Sequence, residues 1–160
     1  RIPTLEELII EFPNVPINID LKQKSPCLVK QTLRLIRKLR AEERIILASF
    51  HTANLIKTRV SEYRGLTALT PVEVLTLKTL PRPFFQSIPL TGAAAQIPTR
   101  SGPISLDSKS FIQKCHRLNI RVDYWTINTT EEAQRLLDAG ADGIMTDDPD
   151  LLVSLFRAFR

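Results

Sequence analysis

The stretch Ile17-Asn18-Ile19-Asp20-Leu21-Lys22 alternates apolar and polar residues without a break. A period of two belongs to a β-strand, whose successive side chains point to opposite faces. Ile17, Ile19 and Leu21 then share an apolar face, and Asn18, Asp20 and Lys22 a polar one. A related alternation returns in Val122-Asp123-Tyr124-Trp125-Thr126-Ile127-Asn128. A central strand of an open doubly wound sheet is covered by helices on both faces and reads as a continuous apolar run. A strand with one polar face fits a (β/α)8 barrel better. In a barrel the second face points inward, and its C-terminal end borders the region that carries barrel active sites.

Working outward from this strand, the chain alternates helices and strands. Thr4-Leu5-Glu6-Glu7 has the capping-box pattern and predicts a helix to about Phe12. Ser25-Pro26 supplies an N-cap and a first-position proline for a helix to about Arg40. RIILASF (44–50) predicts a buried strand, and the helical stretch after it ends at Gly65, read as its C-cap. LTAL (66–69) predicts a short strand, and Thr70-Pro71-Val72-Glu73 a second capping box over a helix ending before Pro81. The proline-rich segment 81–103 breaks the rhythm and offers one candidate strand, GAAAQIP (92–98). Asp107 or Ser108 caps a helix to about Leu118, and residues 120–128 form the next strand. Thr129 to Glu132 is a third capping box, over a helix ending at Gly140. GIMTD (143–147) is the last strand, and Asp148-Pro149 starts the final helix.

Six strands alternating with helices mean right-handed βαβ units and a parallel sheet. The fold expected is therefore α/β, a partial TIM barrel in a single domain over residues 1–160. A complete barrel has eight strands and about 250 residues. The chain has 160 residues and opens on a helix, so the first two βα units, at least, are expected ahead of Arg1.

Composition narrows the class. At 43% hydrophobic and 24% charged residues the chain reads as globular, with no low-complexity signature. No apolar run approaches the roughly 18 residues of a membrane span, and no signal-peptide pattern is visible. Cys27 and Cys115, far apart on helical patterns, read as reduced structural thiols and favour a cytoplasmic setting. The net charge is +5, concentrated in Lys30, Arg34, Arg37, Lys38, Arg40 and Arg44. These residues interleave with Val29, Leu33, Ile36 and Leu39 at helical spacing, the pattern of a solvated face over a buried stripe. The competing reading is a basic α/β module that binds nucleic acid or an anionic surface through residues 30–44.

Chemistry concentrates on the polar face of the first strand. Two residues apart on one strand face, Asp20 and Lys22 have backbones roughly 7 Å apart. The backbone alone does not force them into an ion pair. The arrangement suits two groups converging on one ligand, a carboxylate on a hard cation such as Mg²⁺ or Ca²⁺ and an ammonium on a phosphate. The alternative is a structural ion pair filling a barrel interior. Gln96 interrupts an apolar strand and points either into the core or at a ligand. Arg100 follows that strand within reach of a phosphate. His51 reads as a loop or helix-start residue near the mouth, and His116 as a solvent-facing helix residue. Capping and turn formation account for Asn128 and Asp147.

TLEELIIEFPNVPINIDLK (4–22) resembles the middle of a glycerophosphodiester phosphodiesterase, and the match returns in IILASF, AAAQIP, VDYWTIN and EEAQRLLDAGADGIMTDDPDLL. The order and spacing of these segments agree over nearly the whole chain. The resemblance implies a barrel enzyme that hydrolyses glycerophosphodiesters to an alcohol and glycerol 3-phosphate with a divalent cation. The implied substrate is a small molecule, which disfavours nucleic acid as partner. It further implies that Asp20 is a metal ligand, in a position where the family more often has Glu. Lys22 would approach the substrate phosphate, and Trp125 would line the pocket for the alcohol part. The family's two catalytic histidines, in H-R-G and H-D motifs, and its E-x-D metal carboxylates have no counterpart here. By itself the chain is therefore expected to be inactive.

Overall fold

The structure is a computed structural model that describes residues 1–81 and 90–158. The chain packs as two compact units, Arg1–Glu73 with Leu90–Gly92, and Val74–Pro89 with Ala93–Arg160.

The first unit runs α1 (Leu5–Glu11), β1 (Ile17–Asp20), α2 (Pro26–Lys38), a 3-10 turn (Glu42–Arg44), β2 (Ile45–Ala48), α3 (Thr52–Val60) and β3 (Leu66–Thr67). Helix α4 (Pro71–Thr79) begins in this unit. The strands form a parallel sheet in the order β1-β2-β3, with Ile17 opposite Ile45, Asp20 opposite Ala48 and Leu47 opposite Thr67. Ile9, Leu21, Val29, Leu33, Ile36, Ala41, Ile45 and Leu47 make one buried cluster. Helix α2 thus contributes the stripe 29-33-36 expected from its spacing, and each such side chain stabilises by about 1.5–3 kcal/mol. Arg44 ties the cluster to α1. Its guanidinium donates to the carbonyls of Ile9, Phe12 and Val15 at 2.6, 2.9 and 2.9 Å, satisfying acceptors left open at and beyond the helix end.

The second unit holds β4 (Ala94–Ile97), β5 (Arg100–Ser101), β6 (Ile104–Ser105), α5 (Lys109–His116), β7 (Arg121–Tyr124), α6 (Thr130–Ala139), β8 (Gly143–Ile144) and α7 (Pro149–Ala158). A second parallel sheet has the order β4-β7-β8, with Gln96 opposite Asp123 and Tyr124 opposite Ile144. Ala94, Ala95, Ile97, Phe111, Ile112, Cys115, Val122, Tyr124, Ala133 and Leu136 are buried in this unit. The Tyr124 hydroxyl donates to Leu106 O at 2.8 Å, so the buried ring keeps its polar end satisfied.

The parallel strands alternating with helices are those read from the sequence, and the described residues form no closed barrel. Some local expectations change, among them the last strand, expected over 143–147, which ends at Ile144. Helix α3 ends at Val60 with Ser61 as its C-cap, so Gly65 is not the cap. Gly65 is needed for close approach instead, since a Cβ there would collide with Glu42 O and the Tyr63 hydroxyl. A hairpin, β5–β6, follows β4 where the sequence pattern offers no strand. It turns at Gly102, whose φ of 58° suits a two-residue hairpin loop. The strand expected over 120–128 stops at Tyr124, although Trp125 N still donates to Ile97 O at 3.1 Å. The capping boxes of α1 and α4 are complete, with Thr4 N to Glu7 at 2.8 Å and Thr70 N to Glu73 at 2.7 Å. In α6 the hydroxyl half is made, Glu132 N to Thr129 at 3.3 Å, while the Glu132 carboxylate lies 3.8 Å from Arg135. Part of the proline-rich stretch, 82–89, lies outside the described residues.

Both cysteines are free thiols. Burial pushes the Cys115 thiol up to about 12, as suits a core residue, whereas Cys27 is exposed rather than structural. Among the described residues no helix is long and apolar enough to cross a membrane.

Candidate active-site residues at the ends of the strands

Asp20 is the last residue of β1, and Lys22 follows two positions later. The two side chains close on each other, with Lys22 Nζ 2.8 Å from Asp20 Oδ2. The backbone spacing leaves room for this, but the pair does not fill an interior, because the Lys22 side chain is 79% exposed and that of Asp20 28%. An exposed pair of this kind contributes about 0–1 kcal/mol, too little to explain an acid and a base at a strand end as a stability device. The other carboxylate oxygen is more telling. Asp20 Oδ1 is buried and accepts no hydrogen bond. An orphaned buried acceptor costs about 1–3 kcal/mol, and a hard cation is the partner that a carboxylate oxygen in that state fits. The Asp20 carboxylate therefore has the free oxygen that a divalent ion would take. Among the described residues no group of three His, Cys, Asp or Glu side chains could hold a metal ion by itself.

The segment that carries this pair is tied down by side chains from beyond β2 and from α3. Ser49 Oγ donates to Leu21 O at 2.7 Å. The Asn54 amide donates to Leu21 O at 3.1 Å and to Gln23 O at 2.8 Å. His51, the N-cap position of α3 as expected of a helix-start residue, makes no capping hydrogen bond with its side chain. Its ring Nε2 donates to Lys22 O at 3.1 Å instead. Sequence reasoning passes over Ser49 and Asn54. The available signal is Asn54 itself, a polar residue in the helical phase of the buried Leu55 and Thr58.

Gln96, Arg100 and Trp125 belong to the second unit. Gln96 faces its register partner on β7, with Nε2 3.5 Å from Asp123 Oδ2. Asp123 is buried and also accepts from Arg121 Nε at 2.6 Å. Gln96 thus has a hydrogen-bond partner within the sheet. Arg100 opens the hairpin strand β5 and is exposed. Trp125 is half-buried just beyond the C-terminal end of β7. Asn128 and Asp147 are joined by Nδ2 to Oδ2 at 3.2 Å and by Asp147 N to Asn128 Oδ1 at 3.0 Å, interlocking the loops after β7 and β8. His116 is 40% exposed and pairs with Asp142 Oδ2 at 2.8 Å, a partner the sequence does not reveal.

The family model described as the glycerophosphoryl diester phosphodiesterase family matches residues 1–151. The chain belongs to this family. It is 30% identical over 158 residues to a Mycobacterium tuberculosis protein named probable glycerophosphodiester phosphodiesterase 2, covering 94% of the chain and 58% of that relative. Its fold is that of a glycerophosphodiester phosphodiesterase from Parabacteroides distasonis, with a TM-score of 0.74 at 16% identity over 98% of the chain and 65% of the other. An Oleispira antarctica phosphodiesterase solved in complex with the product sn-glycerol-3-phosphate superposes with a TM-score of 0.66 at 16% identity, over 97% of the chain and 61% of the other. The chain thus spans less than two thirds of each of these relatives. In this chain Asp20 ends the parallel strand β1 and Lys22 follows it, at the strand's C-terminal end.

Proposed function

We propose that the protein carrying this chain hydrolyses glycerophosphodiesters to an alcohol and glycerol 3-phosphate, using a divalent cation, Mg²⁺ or Ca²⁺, that Asp20 helps to hold. The observation that carries the reading is the buried, partnerless Asp20 Oδ1 beside an exposed ammonium at a strand's C-terminal end. Membership of the family and the product held by the Oleispira antarctica phosphodiesterase support the substrate class. The cation, when bound, neutralises charge that develops on the phosphoryl oxygens. Lys22 Nζ, solvated on most sides, swings from Asp20 Oδ2 onto a substrate phosphate oxygen and orients it. Proton transfer falls to the histidine pair that the family resemblance places outside this chain.

The test is Asp20→Asn in the complete protein. Divalent-dependent hydrolysis of glycerophosphocholine is expected to fall at least about a hundredfold with little change in thermal midpoint. Full retention of activity would remove Asp20 from the metal site.

We read the basic residues of α2 and its flank as a solvated helix face, not as a nucleic-acid surface. Arg44 is committed to carbonyls at the end of α1, Arg37 donates to Glu62 O at 3.2 Å, and Lys38 pairs with Glu6 at 2.8 Å. Three of the six basic residues thus have partners within the same unit. DNA binding with a steep linear fall of log affinity against log salt would restore that reading.

A further inference from the structure

We infer that Ser49 and Asn54 are positioning residues that fix the Asp20–Lys22 segment for metal and phosphate binding. The inference rests on the reading of Asp20 and Lys22 proposed above. The sheet register ends with Asp20 opposite Ala48, and Leu21 N makes a further ladder-like bond to Ala48 O at 2.8 Å. From there the carbonyls of Leu21, Lys22 and Gln23 are met by side chains. Ser49 Oγ takes Leu21 O, His51 Nε2 takes Lys22 O, and Asn54 Nδ2 takes the carbonyls on either side of Lys22, those of Leu21 and Gln23.

Because one amide holds both flanking carbonyls, the backbone torsions of Lys22 are clamped and the direction of its side chain is set. The Leu21 side chain, 2% exposed, anchors the same segment in the core and sets the direction of Asp20 from the other side. The clamp is itself built rigidly. Asn54 lies in the first turn of α3, with its N–H on His51 O at 2.9 Å, and its amide nitrogen lies 3.1 Å from Ser49 Oγ. Ser49 Oγ also accepts from His51 N at 3.1 Å. Ser49 and Asn54 are 7% and 3% exposed, so water does not compete for these bonds. A polar network placed against the backbone of a liganding segment orients its ligands, and such outer partners typically tune metal affinity about 10–100-fold.

The experiment is a double-mutant cycle in the complete protein, read by calorimetric titration with Mg²⁺ in the absence of substrate. Asn54→Ala is expected to raise the Mg²⁺ Kd about tenfold. In the Asp20→Asn background the same change is expected to alter Kd less than about twofold, because its effect passes through Asp20. Equal losses in both backgrounds would make Asn54 merely structural and overturn the inference. An Asp20→Asn protein with unchanged Kd would instead overturn the metal reading of Asp20, and the inference with it. If Asn54→Ala does not fold, Ser49→Ala against Ser49→Thr takes its place. The alanine variant should weaken Mg²⁺ binding about tenfold and the threonine variant, which keeps the hydroxyl, should restore it. Unchanged binding in Ser49→Ala would count against the inference.

Discussion

Lys22 is the residue where charge and geometry separate most cleanly. Its ammonium is 2.8 Å from Asp20 Oδ2 yet 79% exposed, so it is free to trade that carboxylate for a phosphate oxygen. Lys22→Ala in the complete protein should therefore lower kcat/KM about tenfold to a hundredfold while leaving Mg²⁺ affinity within about threefold. Lys22→Arg should recover only part of the loss, because a planar guanidinium does not occupy the place of a compact ammonium. Steady-state kinetics beside metal titration checks both. A parallel loss of metal binding would show that the pair is a structural unit. At this scale the sequence disclosed the two residues, since alternation alone puts Asp20 and Lys22 on one face. It did not disclose that Gln96 is taken up by Asp123. That pairing depends on the register of β4 against β7, whose partners lie 27 residues apart.

Elements in this chain are set largely by their ends. Helix α6 stops at Gly140, whose φ of 106° lies in the left-handed region. A Cβ there meets Ile112 at an ordinary 3.5 Å, so the cost of Gly140→Ala is conformational strain and not a clash. A loss of about 1 kcal/mol is expected, read as a fall of a few degrees in thermal midpoint. Helix α4 starts on a charged device. The Arg59 guanidinium reaches Glu73 at 3.0 and 3.1 Å, and Thr70 N donates to the same carboxylate at 2.7 Å. Burial works to raise the Glu73 carboxyl, but the Arg59 and Thr70 hydrogen bonds together hold it below the usual carboxylate range. A carboxyl depressed in the folded state stabilises above its unfolded pKa, and that stabilisation is lost as pH falls through the folded value. Acidification from about pH 5 to pH 3 should thus lower the thermal midpoint more in the natural protein than in Glu73→Gln. Identical acid profiles would refute this role. At neutral pH, Glu73→Ala should cost about 1–3 kcal/mol, since it strands a largely buried guanidinium.

For the whole molecule, the proposed chemistry draws one metal carboxylate and one phosphate-binding lysine from this chain, and among its described residues no group of His, Cys, Asp or Glu could hold a metal unaided. Expressed alone as residues 1–160, it should show no glycerophosphodiester hydrolysis above background with Mg²⁺ or Ca²⁺, because acid–base catalysis needs a proton donor and acceptor at the reacting phosphate. Turnover by the isolated chain would require a different acid and base, with His51 the first to replace. The sequence by itself determined what depends on near neighbours along the chain. The alternation at 17–22 marks a strand, Thr4 to Glu7 and Thr70 to Glu73 cap their helices through residues three apart, and the 29-33-36 stripe buries one side of α2. Only tertiary structure decided what depends on the approach of distant segments. Arg44 closes the end of α1 from 29 to 35 residues away, and Gly65 is required by the nearness of Glu42 and Tyr63. Asn54 clamps Lys22 from 31 to 33 residues away. The physical reason is that a side chain's partner is chosen by the register of parallel strands and the packing of the helices between them. Both follow from burial summed over the whole unit, and no local pattern encodes them.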